Sequence, residues 1–223
     1  MSDSELPPAR LMLILPAGPD LEPARLEAAV KAGDVAALIF TMAAPAPSGT
    51  SKLLRRLAAP LQAQDVAILV TDAAEVVGPA GLDGLHVSLA TPEPLEDALS
   101  ALKPEGIVGA GGLTTRHETM EAGESGADYV MFGPLAPVPE DAAHIREMVN
   151  WWAELCEVPC IGVATSLDDV EALAQEGADF VALAASLLTG PEGVDMARQV
   201  AAAQARLEAG HATRLSLLPS EES

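Results

Sequence analysis

The sequence is poor in aromatic residues, in cysteine and, above all, in positive charge. Its 223 residues include 12 Lys and Arg against 33 Asp and Glu, a formal net charge of −21 at pH 7. Nucleic-acid surfaces depend on clustered Lys and Arg that neutralise phosphates, and anionic lipid surfaces attract the same residues. This composition excludes a general nucleic-acid partner and argues against docking on an anionic membrane surface.

Long apolar runs are also missing. No run of about 18 apolar residues is present, so we expect no membrane-spanning helix. The segment Met1–Pro8 is acidic and proline-rich, unlike a secretory signal. The two cysteines, Cys156 and Cys160, lack the second Cys or His pair of a zinc site, and we favour two reduced thiols near a buried strand. We therefore expect a cytoplasmic protein without membrane association.

Apolar aliphatic residues are abundant. Hydrophobic residues make up 49% of the chain, aromatic residues only 3%, and the mean hydropathy is +0.26. Eight short, continuously apolar runs, typical of parallel strands covered on both faces, alternate with stretches of helical periodicity. The predicted strands are Leu11–Leu15, Ala36–Thr41, Val66–Thr71, Gly84–Val87, Ile107–Ala110, Tyr129–Gly133, Pro159–Val163 and Phe180–Leu183.

Eight such βα units of about 28 residues each predict a compact (β/α)8 TIM barrel. We expect one domain over residues 1–210, with a last helix over Gly193–Ala209 and a polar, loose tail over 211–223. A weak repeat supports the barrel, because small residues and an acid precede four of the strands. The acids of the repeat are Asp34, Asp83, Asp128 and Asp179. We interpret them as turn residues at the bottom of the barrel, opposite the catalytic face.

The order of several motifs resembles that of the thiamine phosphate synthases and the related thiazole tautomerases. The resemblance extends from about Leu11 to Leu188. Ala185-Ser186, near its end, are part of it. The motifs are Ala67–Asp72 (AILVTD), Leu82–Val87 (LDGLHV), Gly126–Pro134 (GADYVMFGP), Val158–Val163 (VPCIGV) and Gly177–Ala182 (GADFVA).

The resemblance implies a thiamine-pathway reaction on a phosphorylated small molecule. A pyrimidine carbocation forms as pyrophosphate leaves with the help of Mg²⁺, and the nitrogen of a thiazole phosphate captures it. It implies Asp72 as a metal ligand, and Thr71 and His86 as contacts of the pyrimidine. For His86, a core or positioning role is the alternative.

The resemblance further assigns phosphate contacts to the loops after strands seven and eight. The residues implied there are Thr165, Ser166 and Ser186. For Ser166 the alternative is a plain N-cap of the next helix, because Asp168 and Asp169 in its first turn would repel a phosphate.

Several positions depart from the family pattern. Where the family has a Gln-x-Arg-x-Lys set after strand two, this chain has Ile39, Thr41 and Ala43. A second metal carboxylate after strand four and a Lys after strand six are also replaced, by Ser88–Thr91 and Leu135–Pro139. On the predicted barrel only two cations, Lys52 and Arg116, could face the catalytic end. The scarcity of cations argues against efficient pyrophosphate chemistry.

Other candidate groups have simpler interpretations. The segment Gly109–Thr115 lacks the context of a dinucleotide-binding loop. The tautomerases place a catalytic His in this loop, and the matching position here is Leu113 or Thr114, which we include as a substrate contact. His117 is either a displaced base or, as we favour, a solvated helix residue. Trp151 and Trp152 are interpreted as packing or as the face of a homo-oligomer.

Two functions remain open from the sequence. The chain is either a divergent thiamine phosphate synthase-like enzyme or a catalytically inactive barrel that binds a ligand or regulates. No catalytic residue could be named.

Overall fold

A computed structural model describes residues 7–42, 46–89, 92–135, 142–189 and 195–217. The strands are β1 (Arg10–Pro16), β2 (Val35–Thr41), β3 (Ala67–Thr71), β4 (Gly84–Val87), β5 (Ile107–Ala110), β6 (Tyr129–Phe132), β7 (Cys160–Ala164) and β8 (Phe180–Leu183). The helices are α1 (Pro23–Val30), α2 (Thr50–Gln62), α3 (Ala74–Ala80), α4 (Pro92–Leu102), α5 (Arg116–Glu124), α6 (Ala142–Leu155), α7 (Leu167–Glu176), α8 (Ala185–Leu188) and α9 (Met196–Leu217).

The strands form one closed barrel in chain order, with every neighbouring pair parallel. The predicted (β/α)8 TIM barrel is confirmed. Alternate residues of each strand point inward or outward, which divides the core in two. A small inner core, including Met12, Ile14 and Leu69, fills the barrel, and a larger aliphatic core lies between the strands and the helices.

The repeated acids lie at the bottom of the barrel, as the sequence predicts. Three of their carboxylates accept the backbone N–H of the preceding strand at 2.7–2.8 Å: Asp83 from Ile68, Asp128 from Val108 and Asp179 from Cys160. Asp34 instead accepts a hydrogen bond from the Arg10 side chain at 2.9 Å. These acids hydrogen-bond to neighbouring strands at the bottom of the barrel. They lie away from the opposite, catalytic face.

The last helix is longer than predicted. Helix α9 runs to Leu217 rather than ending at Ala209, so the expected loose tail from 211 is helical over its first seven residues. Gly210 is not a helix terminus. It is a point of close packing, since a Cβ there would lie 2.4 Å from the carbonyl oxygen of Glu171 on α7. Residues 193–194 of the predicted last helix and 218–223 of the predicted tail lie outside the described residues.

The remaining global expectations concern thiols and membranes. Cys160 begins β7 and is buried, Cys156 is half-buried, and both are free thiols. Burial raises the pKa of Cys160 to about 12, which keeps it protonated and unreactive. Among the described residues, no helix is long and apolar enough to cross a membrane.

Candidate active site

A cavity of about 630 Å³ opens at the carboxyl ends of the strands, the catalytic face of this fold. Residues at or just after the ends of seven strands, all but β5, surround it together with residues at α8. They are Pro16, Thr41, Met42, Thr71, Asp72, Ser88, Leu135, Thr165, Ala184, Ala185, Ser186 and Thr189. We call this cavity the barrel mouth. Among the described residues that line it, Asp72 is the only charged side chain.

Asp72 follows β3 and is held in place by the residue that follows β4. Its two carboxylate oxygens accept hydrogen bonds from Ser88, one from the backbone N–H at 2.8 Å and one from the hydroxyl. The Asp72 backbone is left-handed, with φ of 52°. Non-glycine residues take this conformation at a cost, and they concentrate where a side chain must be aimed. The carboxylate is thus directed into the mouth.

Thr71 ends β3 and is buried at the floor of the mouth. Its hydroxyl oxygen accepts the backbone N–H of Met42 at 3.2 Å, which fixes the end of β2 against β3. The hydroxyl proton is left to donate to a ligand.

A buried pair of rings lies below the mouth. His86 on β4 and Tyr129 on β6 are joined by a hydrogen bond of 2.9 Å between His86 Nδ1 and the Tyr129 hydroxyl. Two glycines of the Gly109–Thr115 segment make room for these rings. A Cβ on Gly109 would lie 1.9 Å from Tyr129 Cζ, and a Cβ on Gly111 would lie 2.5 Å from His86 Nε2. These glycines therefore serve packing.

Burial lowers the pKa of His86 from 6.5 to about 4, and the charge of Asp72 opposes this effect only in part. The imidazole is therefore neutral near pH 7. If the Tyr129 hydroxyl donates to Nδ1, only Nε2 is left without a partner among the described residues. If His86 Nδ1 instead donates to the Tyr129 oxygen, both Nε2 and the hydroxyl proton of Tyr129 are left without a partner among the described residues. The hydrogen-bond count favours the tautomer with its proton on Nε2.

The loop after β7 forms the opposite wall of the mouth. Asp169, in the first turn of α7, accepts three hydrogen bonds on Oδ2. They come from the Thr165 backbone N–H at 3.1 Å, the Thr165 hydroxyl at 3.0 Å and the Ser166 backbone N–H at 2.9 Å. In return the Ser166 hydroxyl accepts the Asp169 N–H at 3.1 Å, which completes a capping box. Ser166 is therefore the N-cap of α7.

The loop after β5 repeats this arrangement away from the mouth. Glu118 Oε2 accepts hydrogen bonds from the Thr114 N–H, the Thr114 hydroxyl and the Thr115 N–H, each at 2.9 Å. These bonds, those from Thr114 first, lower the pKa of the Glu118 carboxyl. Thr114 and Glu118 line a separate cavity of about 500 Å³ beside α5. His117 is exposed on α5 and lies 3.5 Å from Glu121, as a solvated helix residue does.

The two cations expected at the catalytic end do not line the mouth. The Arg116 guanidinium bonds to Glu147 at 3.0 Å and lies 4.9 Å from the ring centroid of Trp151 on α6. Arg116 is thus engaged by α6, which offers it both a carboxylate and an aromatic face, and it does not line the mouth. Lys52 is exposed in the first turn of α2, outside the lining of the mouth.

The tryptophans of α6 have different environments. Trp152 is buried, donates its indole N–H to the Val158 carbonyl at 2.7 Å and meets Phe132 edge to face. Its packing role is confirmed. Trp151 is half-buried under Arg116, and its part in a homo-oligomer stays a prediction.

The residues at the mouth fit Mg²⁺ only as an ion shared with a ligand. Each Asp72 oxygen accepts one hydrogen bond from Ser88 and keeps a second lone pair free. Mg²⁺ is commonly held by one or two carboxylates together with water and substrate phosphates. In the part of the chain that is described, no cluster of three His, Cys, Asp or Glu could form a complete metal site.

The structure brings four of the seven predicted site residues together. Asp72 and Thr71 on one wall, Thr165 and Ser186 on the other, line the mouth. The remaining three lie elsewhere: His86 is buried below, Ser166 caps α7, and Thr114 faces the cavity beside α5. Ala43, Ala90, Thr91 and 136–139, the other positions compared with the family pattern, lie outside the described residues.

Several residues that lie at or under the mouth have no functional role in the sequence-based prediction. Ser88 lies two residues after the inward-facing His86, so strand alternation predicts that it also points inward. Tyr129 lies within a recognised motif, but its bond to His86 depends on the space that Gly109 provides. Met42 and Leu135 complete the lining.

The family model and the relatives found by sequence agree on one family. A family model described as thiamine monophosphate synthase matches residues 11–187. The thiamine-phosphate synthase of Rhodospirillum centenum is 34% identical over 82% of this chain and 91% of the relative. That of Erythrobacter litoralis is 33% identical over 91% of this chain and the whole relative. The solved thiamine phosphate pyrophosphorylase of Pyrococcus furiosus shares the fold, with a TM-score of 0.73 and 21% identity over 91% of this chain and 96% of its own.

Proposed function

This chain belongs to the thiamine monophosphate synthase family, and we propose that it joins a pyrimidine pyrophosphate to a thiazole phosphate in the cytoplasm. The observation that supports the proposal is the Asp72 carboxylate, which Ser88 aims into a cavity of about 630 Å³. A cavity of that volume lies within the usual range for small-molecule sites.

The proposed reaction requires no proton transfer. The bond between the pyrimidine methylene carbon and the pyrophosphate oxygen breaks, and the pyrophosphate leaves with the electron pair. The lone pair of the thiazole nitrogen then forms the new carbon–nitrogen bond. A general base is not needed, so the catalytic burden falls on positioning the two rings and stabilising the leaving group.

Residues of the β3 and β4 ends would act on the leaving group and the pyrimidine. Bound Mg²⁺ would supply positive charge to the departing pyrophosphate, and Asp72, oriented by Ser88, would hold it. Thr71 has a hydroxyl proton left to donate to the pyrimidine. The neutral His86, fixed by Tyr129, supports this wall from below. On the far wall Ser186 would offer its hydroxyl to the thiazole phosphate, and Thr165 would do so only on giving up its hydrogen bond to Asp169.

A second function is favoured by one observation, the lack of Lys and Arg in the described lining of the mouth. Each charge-assisted hydrogen bond to pyrophosphate contributes roughly 1.5–3 kcal/mol, and about 1.4 kcal/mol is a tenfold change in rate. A barrel without such contacts can bind a thiamine precursor without turning it over. The second candidate is therefore a ligand-binding or regulatory member of the family.

A coupled turnover assay separates the two functions. Hydroxymethylpyrimidine pyrophosphate, thiazole phosphate and Mg²⁺ are supplied to the wild type, to Asp72→Asn and to Asp97→Asn, a matched control on the exposed face of α4. We expect wild-type turnover, a fall in kcat/KM of about 100-fold or more in Asp72→Asn, and a change under about twofold in the control. Thermal shifts with both substrates but no turnover would support the binding protein. Neither turnover nor thermal shift would contradict both.

A further inference from the structure

The β7 wall of the mouth already holds an anion of its own. Asp169 Oδ2 takes up the two backbone N–H groups and the hydroxyl that this loop presents, from Thr165 and Ser166, at 2.9–3.1 Å. Backbone N–H groups at the start of a helix are the donors that phosphates use in barrels of this fold. In this chain a carboxylate of the protein occupies them.

The loop after β5 has the same three-bond cap, away from the barrel mouth. Glu118 bonds to Thr114 and Thr115 with the same donor pattern, beside a cavity separate from the mouth. What distinguishes the β7 loop is its place, because Thr165 lines the mouth itself. The cap after β7 therefore lies where it can compete with a ligand of the barrel mouth, and the cap after β5 does not.

The charges around Asp169 do not cancel its own charge. Asp168 beside it is exposed and pairs with Arg206, which also bonds to Glu171. Arg146 shares a small cavity with Asp169, but no hydrogen bond or ion pair joins them in the described structure. A phosphate at Thr165 thus meets an occupied set of donors and a like charge.

We infer that Asp169 is a specificity-determining residue that weakens the binding of phosphate at the barrel mouth. The inference deepens the proposed function and rests on it for the identity of the substrate. A thiazole phosphate can use the donors of Thr165 only by displacing the Asp169 carboxylate, whereas the thiazole alcohol has no such requirement. The wild type therefore discriminates little between the two forms.

The test compares two carboxylate-to-amide changes in the same motif. Asp169→Asn removes the charge and keeps an oxygen that can accept the capping bonds, and Glu118→Gln does the same in the β5 loop. Inorganic phosphate is titrated into the wild type and both variants by calorimetry. We expect Asp169→Asn to bind phosphate about tenfold more tightly, the size of one ordinary charge contact, and Glu118→Gln to match the wild type. Equal affinities in all three proteins would overturn the inference.

Turnover gives a second measurement, which would not change if Asp169 only capped α7. In Asp169→Asn we expect the KM for thiazole phosphate to fall about tenfold, with kcat and the KM for thiazole alcohol changed less than about twofold. If Asp169→Asn does not fold, Asp169→Ala takes its place with the same expectation. If the wild type already prefers thiazole phosphate to thiazole alcohol, and neither variant changes this preference, the specificity role of Asp169 is refuted. Phosphate titration needs no turnover, so an inactive wild type would contradict the proposed function and leave the inference to be decided by calorimetry.

Discussion

The buried His86 makes stability depend on pH in a direction that its environment fixes. Burial lowers its pKa from 6.5 to about 4. Between these two values the unfolded chain binds a proton at this residue and the folded chain does not. Acidification therefore favours the unfolded state, and the free energy of unfolding falls as the pH drops below about 6.5.

The size of the effect follows from the same two values. The difference between 6.5 and about 4 corresponds, at 1.36 kcal/mol per pKa unit, to roughly 3 kcal/mol at full extent. By pH 5 roughly 2 kcal/mol of this should be lost. That pH lies above the sequence pI near 4.3, so the chain keeps a net negative charge during the measurement.

Urea unfolding at pH 7.5 and pH 5, followed by tryptophan fluorescence, measures the effect. His86→Gln is the reference, because glutamine does not titrate while the other ionisable groups contribute equally to both proteins. We expect the wild type to lose about 2 kcal/mol more than His86→Gln between the two pH values. Equal losses would refute the argument that burial holds His86 neutral.

Two further changes test the packing and the turns of the barrel. Gly109→Ala places a Cβ 1.9 Å from Tyr129 Cζ, so we expect the free energy of unfolding in urea to fall by about 1–3 kcal/mol. Adding Tyr129→Ala should recover part of this loss. An unchanged stability of Gly109→Ala would contradict the packing role. Asp128→Ala removes the acceptor of the Val108 N–H at the bottom of the barrel, and we expect it to cost about 1–3 kcal/mol, against about 0.5 or less for the exposed control Asp97→Ala.

The fold could be predicted because its signal is local. Strands covered on both faces are continuously apolar, and three of them, such as Ile107–Ala110, have the predicted bounds. The end of the last helix could not be predicted in the same way. Glycine commonly follows the last turn of a helix, so the sequence predicts an end just before Gly210. Only the contact with α7 shows that Gly210 lies inside the helix and allows close packing.

The site was predictable where a side chain follows directly from a strand end. Thr71 and Asp72 lie at the mouth because β3 ends there. The direction of Arg116 could not be predicted, since it depends on Glu147 and Trp151 of another helix. The sequence-based interpretation has Asp168 and Asp169 favouring the helix dipole and repelling a phosphate, and it does not predict that Asp169 accepts the hydrogen bonds of Thr165.

We propose that the barrel mouth binds a pyrophosphate through Asp72 and Mg²⁺, with no lysine or arginine in the described part of its lining. Calorimetric titration of hydroxymethylpyrimidine pyrophosphate into the protein, in Mg²⁺ and again in excess EDTA, tests this claim most directly. We expect binding in Mg²⁺ to be at least about 100-fold tighter than in EDTA, and the difference to vanish in Asp72→Asn. Equal affinity with and without Mg²⁺ in the wild type would contradict the claim.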